Sequence, residues 1–421
     1  MTLMIMFLIL AVCLVVGIPV AVSIGVSSLS YLLMADINLY AMIQRMYAGL
    51  DTMTLIALPG FVLAGDLMDR GGLARRLVRF CDMAVSRIAG GLSIVTILTC
   101  MVFGAISGSN VATTAAVGGI MLPEMAKRNY DKAYAAAVAA TGGILGAIIP
   151  PSLGMVVYGS TTGVSITNMF KAGIPTGILM GFLAGSLCYY FGKKNGYMGS
   201  GTKYTRQEAL TVTKEAILAF GAPVIILGGI FSGKFTPTEA AIISIVYAIL
   251  IGAFVYKELT PRNLLETLRK GATTSACILY IIAYATLFGW IIAAEQVPAM
   301  AFAAIEAFTT NKYIILILVN VVLLIAGMFM ESSAIIIITA PLLAPLAVML
   351  GIHPVHFGIM VIININIGCL TPPFGVCLFT ASMISDVPVQ KIVPKLLPFI
   401  LIYVIGLLLI TFIPQIALLL I

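Results

Sequence analysis

One pattern recurs along this chain at a constant spacing. Residues 104–110 read Gly-Ala-Ile-Ser-Gly-Ser-Asn, followed by Leu122-Pro123 and by Gly-Ala-Ile-Ile-Pro-Pro over 146–151. Residues 326–333 read Ala-Gly-Met-Phe-Met-Glu-Ser-Ser, followed by Ala344-Pro345 and by Gly-Cys-Leu-Thr-Pro-Pro over 368–373. Pro123 pairs with Pro345, Gly146 with Gly368, Pro150 with Pro372 and Pro151 with Pro373, each pair 222 residues apart. Each copy is an apolar stretch broken by small residues and prolines. Such a duplication constrains the chain to two related halves.

The medium those halves fold in follows from composition. Of 421 residues, 61% are hydrophobic and 9% charged, against roughly 25% charged in soluble proteins. So few charges leave too little polar surface for a soluble chain, and the reading is an all-α polytopic membrane protein. Segments such as 212–231, 237–256, 271–294 and 396–420 meet the length of about 20 apolar residues that a spanning helix needs. The alternating strands of a membrane barrel are absent. The net charge of +7 resides in short loops, where it sets orientation and implies no nucleic-acid partner. Cys13, Cys81, Cys100, Cys188, Cys277, Cys369 and Cys377 are scattered without a CxxC and read as small buried apolar residues. The apolar start at Met1, without a basic n-region or cleavage site, is expected to be a first membrane helix.

Loop charge predicts the topology, since basic loops stay on the cytoplasmic side. The linker from 192 carries Lys193, Lys194, Lys203, Arg206 and Lys214 and reads as inside; the turn 232–236, with Lys234 alone, reads as outside; the loop 257–270, with Lys257, Arg262, Arg269 and Lys270, is inside again. The stretch 92–122 is flanked on both sides by basic loops, with Arg70, Arg75, Arg76, Arg79 and Arg87 before it and Lys127, Arg128 and Lys132 after it. It must enter from the cytoplasm and return, turning at Ser107-Gly108-Ser109-Asn110, a sequence that suits a turn. A turn at membrane depth survives only where protein or a polar cavity surrounds it. The matching hairpin, 314–350, is flanked by outer loops and opens the other way. The repeats therefore read as inverted: repeat one over 1–191, a cytoplasmic linker over 192–211 and repeat two over 212–421, with both termini outside. Broken spans are expected at 132–164 and 354–386, an interfacial amphipathic arm at 73–88 with Leu77, Phe80, Met83 and Ala84 on its apolar face, and a second arm at 297–311. Further spans are expected near 3–16, 20–35, 50–68 and 172–191.

Two hairpin tips and two Pro-Pro breaks should then meet near the midplane. Proline removes backbone donors and frees upstream carbonyls. Carbonyls with serine or threonine hydroxyls make an oxygen cage for a hard cation, and with Glu331 the one carboxylate nearby, Na⁺ fits better than Ca²⁺. Two Na⁺ sites are expected. The first joins Ser107 and Ser109 to backbone at Gly146, Ile149 and Pro150; the second joins Gly327 to Gly368, Thr371 and Phe374. Asn110 and Ser332 are expected to cap the returning half-helices, whose free N–H groups and dipole ends favour an anion. Ser109, Asn110, Ser152, Ser332 and Ser333 are candidate contacts for a carboxylate substrate. Glu331, a costly intramembrane charge, reads as a substrate contact or as a helix cap. His353 and His356 read as a solvated pair in an outer loop. Asp66, Asp69 and Glu239 are expected near span ends, paired with basic residues.

The motifs 58–68 (Leu-Pro-Gly-Phe-Val-Leu-Ala-Gly-Asp-Leu-Met), 104–109, 146–152 and 233–241 (Gly-Lys-Phe-Thr-Pro-Thr-Glu-Ala-Ala) resemble the large membrane subunit of tripartite ATP-independent periplasmic (TRAP) transporters, the DctM-like type. The resemblance runs over essentially the whole chain. It implies an elevator-type transporter of the ion-transporter superfamily, in the bacterial inner membrane. It implies two partners, a small four-helix membrane subunit and a periplasmic substrate-binding protein. The substrate it implies is an organic acid such as a C4-dicarboxylate or sialic acid. The small subunit is expected as a separate chain. The resemblance falls on Ser107, Ser109, Asn110, Gly146, Pro150 and Ser152 in the first half. In the second it falls on Gly327, Glu331, Ser332, Gly368, Thr371 and Pro373.

A stand-alone Na⁺/carboxylate symporter of the same superfamily is the alternative. Enzyme classes fit poorly: an intramembrane protease needs paired acids, a Ser/His pair or a zinc site within the spans, and the two histidines share one loop. No G-x-x-x-x-G-K-[ST] loop is present for ATP.

Overall fold

The computed structural model describes residues 2–421 except Ser86, Lys203, Ala307, Phe308 and Thr310. Parts of the expected arms 73–88 and 297–311 and of the linker 192–211 therefore lie outside the described residues. The described regular structure is helical apart from one isolated bridge between Ala89 and Met198.

The first helices are α1 (Thr2–Val15), α2 (Val20–Met34), α3 (Tyr40–Leu50), α4 (Ala57–Arg70) and the arm α5 (Leu73–Val85). Hairpin one is α6 (Gly91–Ser107) and α7 (Asn110–Lys127). The first broken span is α8 (Lys132–Ile148) and α9 (Leu153–Thr162), followed by α10 (Ile166–Asn195). The second half has α11 (Arg206–Phe231), α12 (Pro237–Ile249), α13 (Pro261–Ala294) and the arm α14 (Val297–Glu306). Hairpin two is α15 (Lys312–Phe329) and α16 (Ser332–Met349). The second broken span is α17 (Pro354–Gly368) and α18 (Val376–Ser385), before α19 (Val389–Phe412) and α20 (Pro414–Leu418). Eight segments among the described residues are long and apolar enough to cross a membrane, α8 and α9 counting as one.

Both hairpins and both breaks thus form where the small residues and prolines require them. The expected segments 3–16 and 20–35 form helices of 14 and 15 residues, each about 22 Å long against a hydrocarbon core of about 30 Å. They pack on each other, joined at Gly17 with φ +85°. Two details differ from expectation. The third span, expected from 50, starts at Ala57, and the segment before it forms α3, followed by a 3-10 turn over Met53–Ile56. Its counterpart in the second half is the unbroken 34-residue α13. The arm α5 buries Leu73, Ala74, Leu77, Val78 and Cys81, while Ala84 is exposed. Phe80 turns to the side, edge-on to Phe220 at 5.2 Å.

The helices pack in two interlocked groups, each drawn from both halves. One joins α1–α4 with α11–α13; the other joins α6–α10 with α15–α20. Each arm lies against a hairpin, α5 on α6 and α14 on α16. At the centre of the second group is α8, whose residues from Ala133 to Ile148 are all buried. Among the described residues, no side-chain hydrogen bond or salt bridge joins the second group directly to the first. The ion pairs stay within one group or its own arm: Lys270 with Asp66 at 2.8 Å, Arg76 with Glu258 at 2.8 Å and Lys127 with Glu124 at 2.7 Å. Glu239, expected to pair with a basic residue, instead completes a capping box with Thr236 on α12. Between the groups the contacts include backbone and small side chains. A Cβ on Gly65 would meet the Ser107 Cα at 2.9 Å, and one on Gly289 would meet the Pro341 Cβ at 3.3 Å.

Close approaches of main chain to main chain join each hairpin to its broken span inside the second group. A Cβ on Gly104 would meet the Gly146 Cα at 2.5 Å, and one on Gly368 would meet the Gly327 Cα at 2.5 Å. Small residues let membrane helices approach this closely, and main chain cannot swing aside. Gly368→Val is expected to cost more than the 1–3 kcal/mol typical of overpacking, read as a lower melting temperature and poor monodispersity of the purified chain. Gly119→Ala, which meets nothing within 4 Å, is the control and should melt at or above the wild-type temperature. Equal melting of wild type and Gly368→Val would refute the close approach.

Candidate functional site

The two hairpin tips meet at matching positions of the 222-residue echo. Asn110 Nδ2 donates to Ser332 Oγ at 3.2 Å, a bond between residues 222 apart, and to Asn366 Oδ1 at 2.8 Å. Ser332 Oγ also lies 3.2 Å from Cys369 Sγ. Asn110, Ser332, Asn366 and Cys369 are all buried, so one polar knot ties tip one, tip two and the start of the second break. Interhelical side-chain bonds in membranes average about 0.6 kcal/mol. The knot therefore contributes position more than bulk stability.

Each tip also docks on its own break through backbone. Leu153 N–H donates to the Gly108 carbonyl at 3.2 Å, and Phe374 N–H donates to the Met328 carbonyl at 3.1 Å. Gly108 holds φ +61°, and a Cβ there would meet the Pro151 carbonyl oxygen at 2.7 Å.

Around tip one, oxygens gather. Ser107 Oγ lies 2.8 Å from Thr113 Oγ1 and 3.5 Å from the Ser109 carbonyl oxygen. The bare Gly146 faces both: a Cβ on it would collide with Thr113 Oγ1 and come to 2.9 Å from the Ser109 carbonyl oxygen. Ile149 ends α8 with extended backbone before Pro150. Among the described residues no three His, Cys, Asp or Glu side chains converge. The donors here are hydroxyls and carbonyls, which fits a hard monovalent cation. Around tip two, a Cβ on Gly327 would lie 2.9 Å from the Ile365 carbonyl oxygen, and Thr371 Oγ1 bonds the Ile367 carbonyl at 2.9 Å. Phe374 contributes its backbone to the dock, while its ring is 60% exposed.

Several assignments shift by one residue or change role. The N-caps are Ser109 and Glu331, not Asn110 and Ser332. Ser109 Oγ accepts from Ala112 N–H at 3.4 Å. Glu331 accepts from the N–H groups of Ser333 at 2.9 Å and Ala334 at 3.2 Å, and from Ser333 Oγ at 3.1 Å. The N–H groups expected to be free are thus largely taken, Val111 N–H by Asn110 Oδ1 at 2.7 Å. The two tips consequently differ in charge: α16 starts on a carboxylate, α7 on a neutral hydroxyl. Ser152 is buried as the cap of α9, its hydroxyl bonded to the Ala147 carbonyl at 2.5 Å. Gly146, Pro150, Gly327 and Gly368 act through shape and backbone. His356 is no loop residue; it is buried in α17, its Nε2 2.8 Å from the Ile410 carbonyl, while His353 precedes that helix.

Thr113 and Asn366 were not foreseen. Asn364 and Asn366 interrupt the apolar run Ile362–Ile367, a signal in itself, since polar groups are costly at membrane depth. The first half has Gly142 and Ile144 in their places, so the echo did not point to them. Asn364 bonds Asn320 at 2.8 Å, and Asn320 bonds Thr411 at 3.1 Å, away from the tips.

With this geometry in view, the comparison with known proteins is direct. The family described as the DctM component of the tripartite ATP-independent periplasmic transporter matches residues 7–416. The chain belongs to this family. It is 39% identical to the isethionate TRAP transporter permease protein DctMQ of Oleidesulfovibrio alaskensis, over 96% of this chain and 64% of that protein. It is 38% identical to the sialic acid TRAP transporter large permease protein SiaM of Vibrio cholerae, over 96% and 95% of the two. It is 37% identical to the C4-dicarboxylate TRAP transporter large permease protein DctM of Pseudomonas aeruginosa, over 94% and 93%. The crystal structure of the Alcanivorax borkumensis YdaH transporter shares the fold, with a TM-score of 0.59 at 15% identity, over 88% of this chain and 86% of that one. The DctM-family chain is thus a TRAP large permease, a transporter component and not an enzyme, built as a multi-pass inner-membrane protein.

The cap on α16 is testable by itself. Glu331→Ala should destabilise hairpin two by about 1 kcal/mol, seen as a lower melting temperature, while Glu331→Gln, which keeps an acceptor, should lose less. Identical melting of all three chains would remove Glu331 as a cap.

Proposed function

We propose that this chain is the permease of a Na⁺-coupled uptake system for an organic acid, with the second helix group carrying substrate and ion across the inner membrane as an elevator. The observation that carries this is the junction of the two tips at Asn110 and Ser332, equivalent residues of the two halves. A site at matching positions of the echo is held alike by hairpins that loop charge orients to opposite faces. Both termini outside follow from the same charge reading. Two features support the elevator. Site and breaks belong to a single group, and its boundary with the other group carries no direct polar side-chain bond among the described residues. A boundary of small and apolar side chains offers little specific resistance to sliding.

Na⁺ is assigned to the oxygens of Ser107, Thr113 and Ser109 beside Gly146, and to the backbone where Gly327 meets Gly368, Thr371 and Phe374. Bound there, the ion would supply positive charge beside an anionic substrate; the chain supplies the oxygens and excludes water. Relatives named for isethionate, sialic acid and C4-dicarboxylate share an acid group, so the cargo class is organic acids. The substrate's acid group belongs at the α7 end, where Ser109 and Asn110 leave the helix dipole uncompensated. At α16, Glu331 already occupies that position, so Glu331, Ser332 and Ser333 suit a hydroxyl or cationic group of the substrate. A small membrane subunit and a periplasmic binding protein are the partners.

Two measurements test this. Uptake by proteoliposomes should require Na⁺, the small subunit and the binding protein together; uptake by this chain alone would replace the proposal with a stand-alone symporter. Ser107→Ala should raise the half-saturating Na⁺ concentration about ten-fold or more, the worth of one bond to a charged group, with little change in melting temperature. Unaltered Na⁺ activation would take Ser107 out of the ion site.

A further inference from the structure

A second polar meeting place lies away from the tips, where the arm α5, the base of hairpin one and the linker between the halves converge. They enclose a pocket of about 360 Å³, room for on the order of ten water molecules. Its lining is divided. Val78 from the arm, Val95 from α6 and Met121 from α7 make an apolar part. Arg75 and Arg79 from the arm and Arg128 from the end of hairpin one make a basic rim, and all three are exposed. Ser200, Thr202 and Tyr204 of the linker add hydroxyls.

The acids present offset this rim only in part. Glu124 pairs with Lys127 at 2.7 Å. Asp82 accepts from the Ser200 and Tyr204 hydroxyls, each at 2.9 Å, and stands as one carboxylate against three arginines. Burial pushes the Tyr204 phenol up to about 12, and its bond to Asp82 adds to this, so it stays a donor. Arg75 lies 3.8 Å from Glu258, at the limit of an ion pair. Arg79 and Arg128 have no carboxylate within 4 Å among the described residues. Two arginines, one from the arm and one from the end of hairpin one, thus face one pocket whose floor is apolar.

We propose that this pocket binds the phosphate headgroup of an anionic phospholipid, with Arg79 and Arg128 on the phosphate and the apolar floor under the glycerol and first acyl carbons. Basic pockets between membrane helices suit such headgroups, and arginine suits phosphate oxygens. The apolar part favours a lipid over a free anion. The lipid would add a polar bridge between the arm and hairpin one, beside the one that the linker makes through Asp82.

The test is lipid retention by the full purified chain in native mass spectrometry, titrated with phosphatidylglycerol, phosphatidylethanolamine or inorganic phosphate. Wild type should retain phosphatidylglycerol in preference to phosphatidylethanolamine. Arg79→Gln with Arg128→Gln should bind it more weakly, by about five-fold per arginine, and Arg79→Lys with Arg128→Lys should recover most of the loss. Equal retention by wild type and the glutamine variant would overturn the proposal. So would an equal loss in Arg262→Gln with Arg269→Gln, outside the pocket, or displacement of the lipid by inorganic phosphate at comparable concentration. A photoreactive phosphatidylglycerol on wild type gives a readout independent of variant folding. It should label peptides from 75–82, 120–128 or 200–204, and labelling confined to other peptides would reject the site.

Discussion

The contact on which this architecture depends is the bare backbone approach of each hairpin to its broken span, Gly104 on Gly146 and Gly327 on Gly368. At these points a single Cβ would meet main chain. Irregular backbone at membrane depth must be satisfied by protein, and the close approach is what lets Leu153 reach the Gly108 carbonyl and Phe374 the Met328 carbonyl. The same approach brings Asn110 within bonding distance of Ser332. The polar knot is therefore a consequence of small-residue packing, which is the stronger constraint.

Around this centre the molecule separates its stiff and its slippery contacts. Within the tip-bearing group, hydrogen bonds, caps and glycine approaches are dense. Across to the other group, the contacts are apolar or small, such as Phe61 edge-on to Phe170 at 6.2 Å and Gly65 against Ser107. A tightly bonded group, against a surface with no direct polar side-chain bond among the described residues, suits the movement proposed above. The asymmetry between a neutral cap at Ser109 and a charged cap at Glu331 gives two halves of one plan different electrostatic ends.

Much of this was legible beforehand. Gly and Pro punctuate apolar runs so strongly that both hairpins, both breaks and their turning points fall where the sequence puts them. The family resemblance also holds over residues 7–416. What was not legible had identifiable causes. The helix Tyr40–Leu50 buries none of its residues and carries Gln44 and Arg45, so it lacks the uniform apolarity by which spans were sought. The cap of α7 fell one residue early, because serine and asparagine both cap and stand side by side at 109 and 110; at α16 the glutamate reading as a cap held over that of Ser332. Thr113 was hidden because its partner, Ser107, lies across a turn that brings them together only when folded. Asn366 was hidden because its half-mate is isoleucine.

By itself, then, the sequence determined the duplication, the medium, the number and place of interruptions and the residue types offered at each. These depend on local chain chemistry: proline without an N–H, glycine without a side chain, charge excluded from lipid. Only the tertiary structure decided which hydroxyl faces which carbonyl, that Ser152 is consumed as a cap while Ser107 stands beside Thr113, and that His356 is buried against Ile410. The two serine outcomes arise at a turn and a break, where residues five or six apart are folded onto each other; the third depends on how closely two distant helices approach, a distance decided by the two surfaces in contact.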